Sequence, residues 1–171
     1  MLLFSEYDMQ IIFQDDYIVV AVKPPELLSQ GDEKGRANAV DTLKELTGSE
    51  IYPVHRLDKG VGGIMVFAKT SFAAAKLSSQ VSDRTIEKCY LAVLHGEISE
   101  NTGRLEDLLF FDRSKNKSFV VKRERRGVKK ALLEYECLER LSDRSIVRIR
   151  LLTGRTHQIR VQFSSRGYSL L

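Results

Sequence analysis

Alternating hydrophobic and polar positions predict two short strands near the start of the chain, within residues 10–23, around a turn at Asp15-Asp16. Pro24-Pro25 end the second strand, because proline has no N–H to donate to a sheet. Further apolar or alternating runs predict five more strands, over residues 64–68, 88–98, 118–122, 130–141 and 145–152.

Helical signals occur at three places, two between strands and one after the last strand. Residues 38–46 carry apolar side chains at helical spacing. Residues 71–81 are rich in alanine, with Ser71 as a suitable N-cap, and residues 155–166 regain helical spacing. The order β-β-α-β-α-β-β-β-β-α predicts an α+β fold, in which helices and loops flank a mixed, mainly antiparallel sheet.

The composition is that of a globular domain, with 43% hydrophobic and 29% charged residues among 171. The longest apolar run, Tyr17–Val22, is far shorter than the ~18 residues that a membrane-spanning helix needs. No basic leader or cleavage site marks an export signal, so we expect a cytoplasmic protein. Cys89 and Cys137 are then expected to be reduced, buried thiols.

Charge is unevenly distributed along the chain. The net charge is +4, but residues 113–130 alone carry nine Lys or Arg against the single Glu124. Such a basic block can attract a polyanion through counterion release, although a solvated hairpin that keeps the protein soluble would have the same composition.

Common catalytic and cofactor motifs are absent from the sequence. It has no glycine-rich phosphate loop and no nucleophile elbow around a serine. The three histidines, His55, His95 and His157, stand apart from one another and from the cysteines, so we predict no metal site.

Two polar clusters are candidates for chemistry. Residues 53–63 lead into an apolar strand, and residues 153–160 lie at a strand-to-helix junction, where the helical spacing puts His157 and Arg160 on one face. Asp58 in the first cluster either caps its turn or pairs with an arginine of the second cluster. The residues alone leave both alternatives open.

Three motifs, in the same order along the chain, resemble those of the RluA-type family of RNA pseudouridine synthases. His55 to Gly63 is similar to H-R-L-D-x-x-[ST]-[SG]-G, Lys88 to Gly96 matches K-x-Y-x-A-x-x-x-G, and Thr153 to Arg160 matches T-G-R-x-H-Q-I-R at every position. An early Lys23-Pro24 pair is also present. The resemblance implies a pseudouridine synthase catalytic domain.

The resemblance also implies residue roles. Asp58 is expected to be the catalytic aspartate, Arg160 to supply the opposite charge, and Tyr90 to stack on the flipped uracil and assist removal of the proton from C5. Arg56 resembles the arginine that fills the space the flipped base leaves. The other residues expected to bind RNA are His55, Lys88, Arg155, His157, Arg123, Arg125 and Arg126.

The expected substrate is a structured RNA, either a transfer RNA or a large-subunit ribosomal RNA. The resemblance implies no cofactor and no metal, and we expect a monomer that does not bind membranes. We expect residues 1–171 to form a single catalytic domain that lacks an S4-type RNA-binding domain. Family domains continue beyond the segment that matches residues 166–171, so we expect the natural protein to be longer.

The sequence departs from the family pattern at three places. Val61-Gly62 replaces a pair that is usually Thr-Ser, and Pro25-Glu26 stands where a small residue and a glycine are usual. Gln162 occupies a position that is often histidine. None of these removes a group with an implied catalytic role, but the first is expected to loosen the turn beside Asp58.

Two other functions compete with the synthase. One is an RNA-binding module that keeps the scaffold but has lost turnover. A module that only binds RNA would not need Asp58, Tyr90 and Arg160 together. The other is an RNA hydrolase in which Asp58 and His55 form an acid–base pair, but no second carboxylate or metal-ligand set accompanies them.

Overall fold

A computed structural model of the chain describes residues 9–171. Its strands gather into two antiparallel sheets, one in each of two units, of which the first ends at Ile86 and the second covers Glu87–Leu171. Together with the helices, the two sheets confirm the predicted α+β class, although the prediction had a single sheet.

The first unit is built on a four-stranded sheet with the strand order β1-β2-β4-β3. Its core forms where alternate side chains of two adjacent strands turn inward, among them Val19, Ala21, Met65 and Phe67, all fully buried. The elements are β1 (Gln10–Gln14), β2 (Ile18–Lys23), α1 (Ala39–Thr47), β3 (Tyr52–Pro53), β4 (Gly63–Ala68) and α2 (Ser71–Ser82).

The first two helices begin where their caps dictate. The side chain of Asn38 accepts the backbone N–H of Asp41 at the start of α1. At the start of α2 the hydroxyl of Thr70 accepts the N–H of Ala73, so the prediction of Ser71 as N-cap is wrong by one residue.

The second unit is built on a five-stranded sheet with the order β5-β9-β8-β6-β7. Phe163 packs against one face of this sheet, on residues that include Leu94, Leu133, Val147 and Ile149. The elements are β5 (Lys88–His95), β6 (Thr102–Asp112), β7 (Lys117–Val121), β8 (Val128–Leu141), β9 (Arg144–Leu151) and α3 (Gln158–Ser164). Strand β6 was not predicted.

Both cysteines are free thiols, but the prediction that they are buried is wrong. Cys89 lies on the exposed face of β5, and Cys137 is only partly buried. In the part of the chain from residue 9 onward, no helix has the length and apolar character needed to cross a membrane.

Candidate active site

Asp58 lies half-buried in the loop that joins β3 to β4. The residue before it, Leu57, is held by the buried hydroxyl of Ser29, which accepts the N–H of Leu57 at 2.9 Å and donates to its carbonyl at 2.8 Å. One hydroxyl therefore satisfies both backbone groups of the residue that precedes the aspartate.

A buried lysine holds the other side of the same turn. The Lys23 ammonium donates to the carbonyls of Pro24, Leu27 and Lys59, and the Lys59 carbonyl also accepts the N–H of Glu26. Lys23 is fully buried, and this burial lowers the pKa of its ammonium group although two carboxylates nearby act in the opposite sense. The backbone is thus fixed on both sides of Asp58.

Two of the three departures from the family pattern, Pro25-Glu26 and Val61-Gly62, lie together in this turn. A Cβ built at Gly62 would lie 3.0 Å from Cδ and 3.2 Å from Cγ of Pro25, so proline occupies the space that a side chain at position 62 would need. Glu26 has a φ of 69°, a left-handed conformation that favours glycine, and its carboxylate pairs with Lys59. The N–H of Val61 donates to the Asp58 carbonyl, so the turn keeps backbone support without the usual hydroxyls.

Because Pro25 fills this space, we expect Gly62→Ser to destabilise the protein by about 1–3 kcal/mol, the usual cost of overpacking. Replacing Pro25 with Gly should remove most of that penalty, so the two substitutions should couple in a double-mutant cycle measured by chemical denaturation. Additive effects of the two substitutions would show that the contact carries no energy.

His55 and Arg56 stand at the start of the same loop. Nε2 of His55 accepts the backbone N–H of Val66 in β4, so in this arrangement that nitrogen carries no proton to donate. Arg56 is exposed, in keeping with a side chain that reaches toward a ligand.

In the second unit, Lys88 and Tyr90 project from the same face of β5 and are both half-buried. Tyr90 packs against the core of this unit. Lys88 lies beside the loop before α3. A Cβ built at Gly154, which belongs to that loop, would be 3.4 Å from the Nζ of Lys88.

The buried side chains of Thr153 and Gln158 hold the loop before α3 through hydrogen bonds. The Thr153 hydroxyl accepts the N–H of Leu132 and donates to Oε1 of Gln158. That oxygen also accepts the N–H of Arg155, while the Gln158 amide nitrogen donates to the Leu132 carbonyl. The Arg155 side chain is held as well, since its Nε donates to the Lys130 carbonyl at 2.9 Å.

The predicted shared helix face of His157 and Arg160 is wrong, because α3 begins only at Gln158. His157 precedes the helix with a φ of 54°, and its ring meets Phe111 edge-on at 6.1 Å between centroids. Arg160 is exposed on α3, and no carboxylate of the second unit forms an ion pair with it.

The three predicted RNA-binding arginines of the basic block lie in the exposed turn between β7 and β8. Arg125 stacks on the ring of Phe110, with 4.7 Å from its guanidinium carbon to the ring centroid. The other two are Arg123 and Arg126.

The predicted site residues therefore form two groups. His55, Arg56 and Asp58 share one loop of the first unit, and the remaining residues belong to the second unit. Among residues 9–171, no cluster of three or more His, Cys, Asp or Glu could hold a metal ion.

Sequence reasoning assigned no role to the buried residues that position these side chains. The signal for three of them was present, since Lys23 belongs to the early lysine–proline pair, and Thr153 and Gln158 lie within the third motif. No sequence pattern indicated a role for Ser29, which hydrogen-bonds to Leu57, 28 positions further along the chain.

Comparison with known proteins identifies the class. A family model described as RNA pseudouridylate synthase matches residues 16–165, nearly the whole chain. The chain therefore belongs to the RNA pseudouridylate synthase family, and the resemblance drawn from its motifs is confirmed.

Curated relatives refine the comparison. The chain is 31% identical to the ribosomal large subunit pseudouridine synthase D of Borreliella burgdorferi, over 98% of this chain and 54% of the relative. It is also 31% identical to the dual-specificity RNA pseudouridine synthase RluA of Haemophilus ducreyi, over 95% of this chain and 75% of that protein. The chain spans about half the length of several of the curated relatives it matches.

Solved structures share the fold. Human RNA pseudouridylate synthase domain containing 4 superposes with a TM-score of 0.78 at 25% identity, covering 94% of this chain and 66% of that one. Human RNA pseudouridylate synthase domain containing 1 superposes with a TM-score of 0.80 at 22% identity, covering 99% of this chain and 70% of that one. At this level of identity the similarity shows a shared fold only.

Proposed function

We propose that this chain isomerises uridine to pseudouridine within a structured RNA, with Asp58 as the catalytic carboxylate. The observation that carries the proposal is the support beneath Asp58, where a buried lysine and a buried serine fix the backbone on either side of an acidic residue. A carboxylate that only capped a turn would not require a fully buried ammonium group beneath it.

The reaction breaks the bond between N1 of uracil and C1′ of ribose and forms a bond between C5 and C1′. C5 loses its proton and N1 takes one up, so the product is an isomer of the substrate. Asp58 acts as nucleophile or as base, and Arg160 supplies positive charge to the reacting groups. Tyr90 stacks on the flipped uracil and assists removal of the C5 proton. Extruding the base costs a few kcal/mol, which contacts with the RNA must offset.

The names of the relatives support a structured RNA as substrate. Three of them are called large-subunit ribosomal enzymes, and one is called dual-specificity. We propose a large-subunit ribosomal RNA stem-loop, with a transfer RNA as the alternative within the same chemistry.

Arginines and lysines of both units would bind the phosphates of the RNA. Those in the loop that contains Arg56 and in the β7–β8 turn are exposed, and Arg155 in the loop before α3 is half-buried. Phosphate contacts position an RNA without specifying its sequence, so affinity should fall steeply with salt.

The direct test uses ribosomal and transfer RNA carrying tritium at C5 of uridine. We expect the protein to release the label into water, whereas RNA labelled at C6 should keep it, because only the C5 hydrogen leaves during isomerisation. Tight RNA binding without release from either RNA would contradict the proposed activity and favour the binding module.

A further inference from the structure

A pocket of about 300 Å³ lies in the second unit, at the end of the sheet where β6 meets β7 and the start of β8. Its volume is at the lower end of the range for small-ligand pockets, a size suited to one nucleotide. The loop before α3 closes one side of it. Its lining includes Leu109, Phe111, Arg113, Lys129, Arg155 and Thr156.

Strand register brings these residues to one face of the sheet. Leu109 and Phe111 are two residues apart on β6, so their side chains lie on the same face of the sheet. Leu109 pairs with Lys129 on β8, and Phe111 pairs with Ser118 on β7. The Ser118 hydroxyl donates to the Thr156 carbonyl at 2.6 Å, which ties the loop before α3 to this face. The pocket is therefore built by long-range pairing.

The pocket is positively charged. Arg113, Lys129 and Arg155 line it, and no carboxylate does. Within residues 9–171 none of the three forms an ion pair, whereas Lys130 and Arg148, also on the sheet, each pair with a glutamate. Unpaired cations around a concave surface favour an anionic group such as a phosphate.

Phe111 supplies an aromatic surface in the same pocket. Its ring is half-buried and is held edge-on against His157. An aromatic ring beside lysine and arginine side chains is the arrangement by which proteins bind single-stranded nucleic acid, with the base on the ring and the phosphate on the cations.

We propose that this pocket binds one nucleotide of the RNA substrate other than the uridine that is isomerised. Its phosphate contacts Arg113, Lys129 and Arg155, and its base lies against Phe111. The inference rests on the proposed function for the identity of the ligand as RNA. The same loop continues into α3 and Arg160, so the pocket lies on the chain segment that also carries a proposed catalytic residue.

The test uses ligands without uridine, so that none can occupy the catalytic site as substrate. We would titrate the full chain, labelled with ¹⁵N, with adenosine 5′-monophosphate and with ribose 5-phosphate, following the amides of Gly127 and Gly154 at the pocket. The mononucleotide should bind about tenfold more tightly than the sugar phosphate, since stacking contributes that order of affinity per base. Phe111→Leu should bring the two affinities together.

Penta-adenylate separates an RNA subsite from a site for a free nucleotide. It should displace the mononucleotide and bind more tightly than it. Lys129→Glu should weaken penta-adenylate binding roughly tenfold, while Lys115→Glu, which changes the charge equally outside the pocket, should cost about threefold at most. Lys129 and Lys115 are both exposed, so neither change should affect folding.

The proposal would be overturned by unshifted Gly127 and Gly154 amides, by equal affinities for the two phosphates in the wild type, or by a mononucleotide that binds more tightly than penta-adenylate. Equal losses for Lys129→Glu and Lys115→Glu would do the same, since they would indicate diffuse attraction. The outcome is independent of tritium release. A protein that binds penta-adenylate here but releases no label would contradict the isomerase activity alone.

Discussion

Asp58→Asn should reduce release of tritium from C5-labelled RNA by at least about a thousandfold, because an amide can neither attack nor take a proton as the carboxylate does. RNA affinity should change less than about threefold, since the phosphate contacts are made by other residues. Both quantities are measured on one RNA, by release of label under single-turnover conditions and by filter binding.

The matched control is Asp16→Asn, which removes one exposed carboxylate elsewhere in the first unit. It should leave both release and affinity unchanged. If the Asp58 variant kept its activity, the catalytic carboxylate would have to be another residue and the proposed mechanism would be wrong.

Lys23→Met should destabilise the protein by about 2–4 kcal/mol, because it leaves buried carbonyls without their donor. For a chain of this size the loss corresponds to a melting temperature lower by roughly 5–12 °C. The turn that holds Asp58 should also lose its fixed geometry, so the rate of label release should fall more than RNA affinity does.

The control for this change is Lys59→Met in the same turn. Lys59 is about half exposed and pairs with Glu26 at the surface, where an ion pair contributes at most about 1 kcal/mol. An equal loss of stability in both variants would show that burial of Lys23 is not what supports the turn.

Lys23 should also leave a signature in the pH dependence of stability. Since the folded protein lowers the pKa of Lys23, the unfolded chain binds more protons in the interval below the ordinary value of 10.5. Unfolding therefore becomes less favourable as the pH rises through that interval. The wild type should gain stability there relative to Lys23→Met, and parallel curves would contradict this.

Local patterns were sufficient to predict most of the elements. The strands on either side of Asp15-Asp16 and the helix before Gly48 follow from alternation and from a left-handed glycine, for which the structure gives a φ of 65°. Strand β6 was missed because its sequence, TGRLEDLLFFD, places Glu-Asp and two apolar pairs side by side and so conceals the alternation. Its exposed and buried positions are decided by pairing with β7 and β8.

The sequence singled out candidate residues through their motifs but did not indicate the residues that support them. Asp58, Tyr90 and Arg160 were proposed because the motifs that contain them are short and continuous, and their roles stay predictions. Ser29 contacts its partner across a loop, and burial of a lysine contradicts the ordinary preference of that residue. The start of α3 was misplaced because helical spacing says nothing of a left-handed residue at position 157.

The contact between Pro25 and position 62 changes how departures from a motif should be counted. When the sequence is compared with the family pattern one position at a time, Pro25 and Gly62 count as two separate mismatches, and each reduces the apparent agreement with the family. The two residues are in contact, so they form one coupled change: the side chain missing at Gly62 leaves space that the Pro25 ring occupies. Among relatives, these two positions should covary, and serine at the second should accompany a small residue at the first.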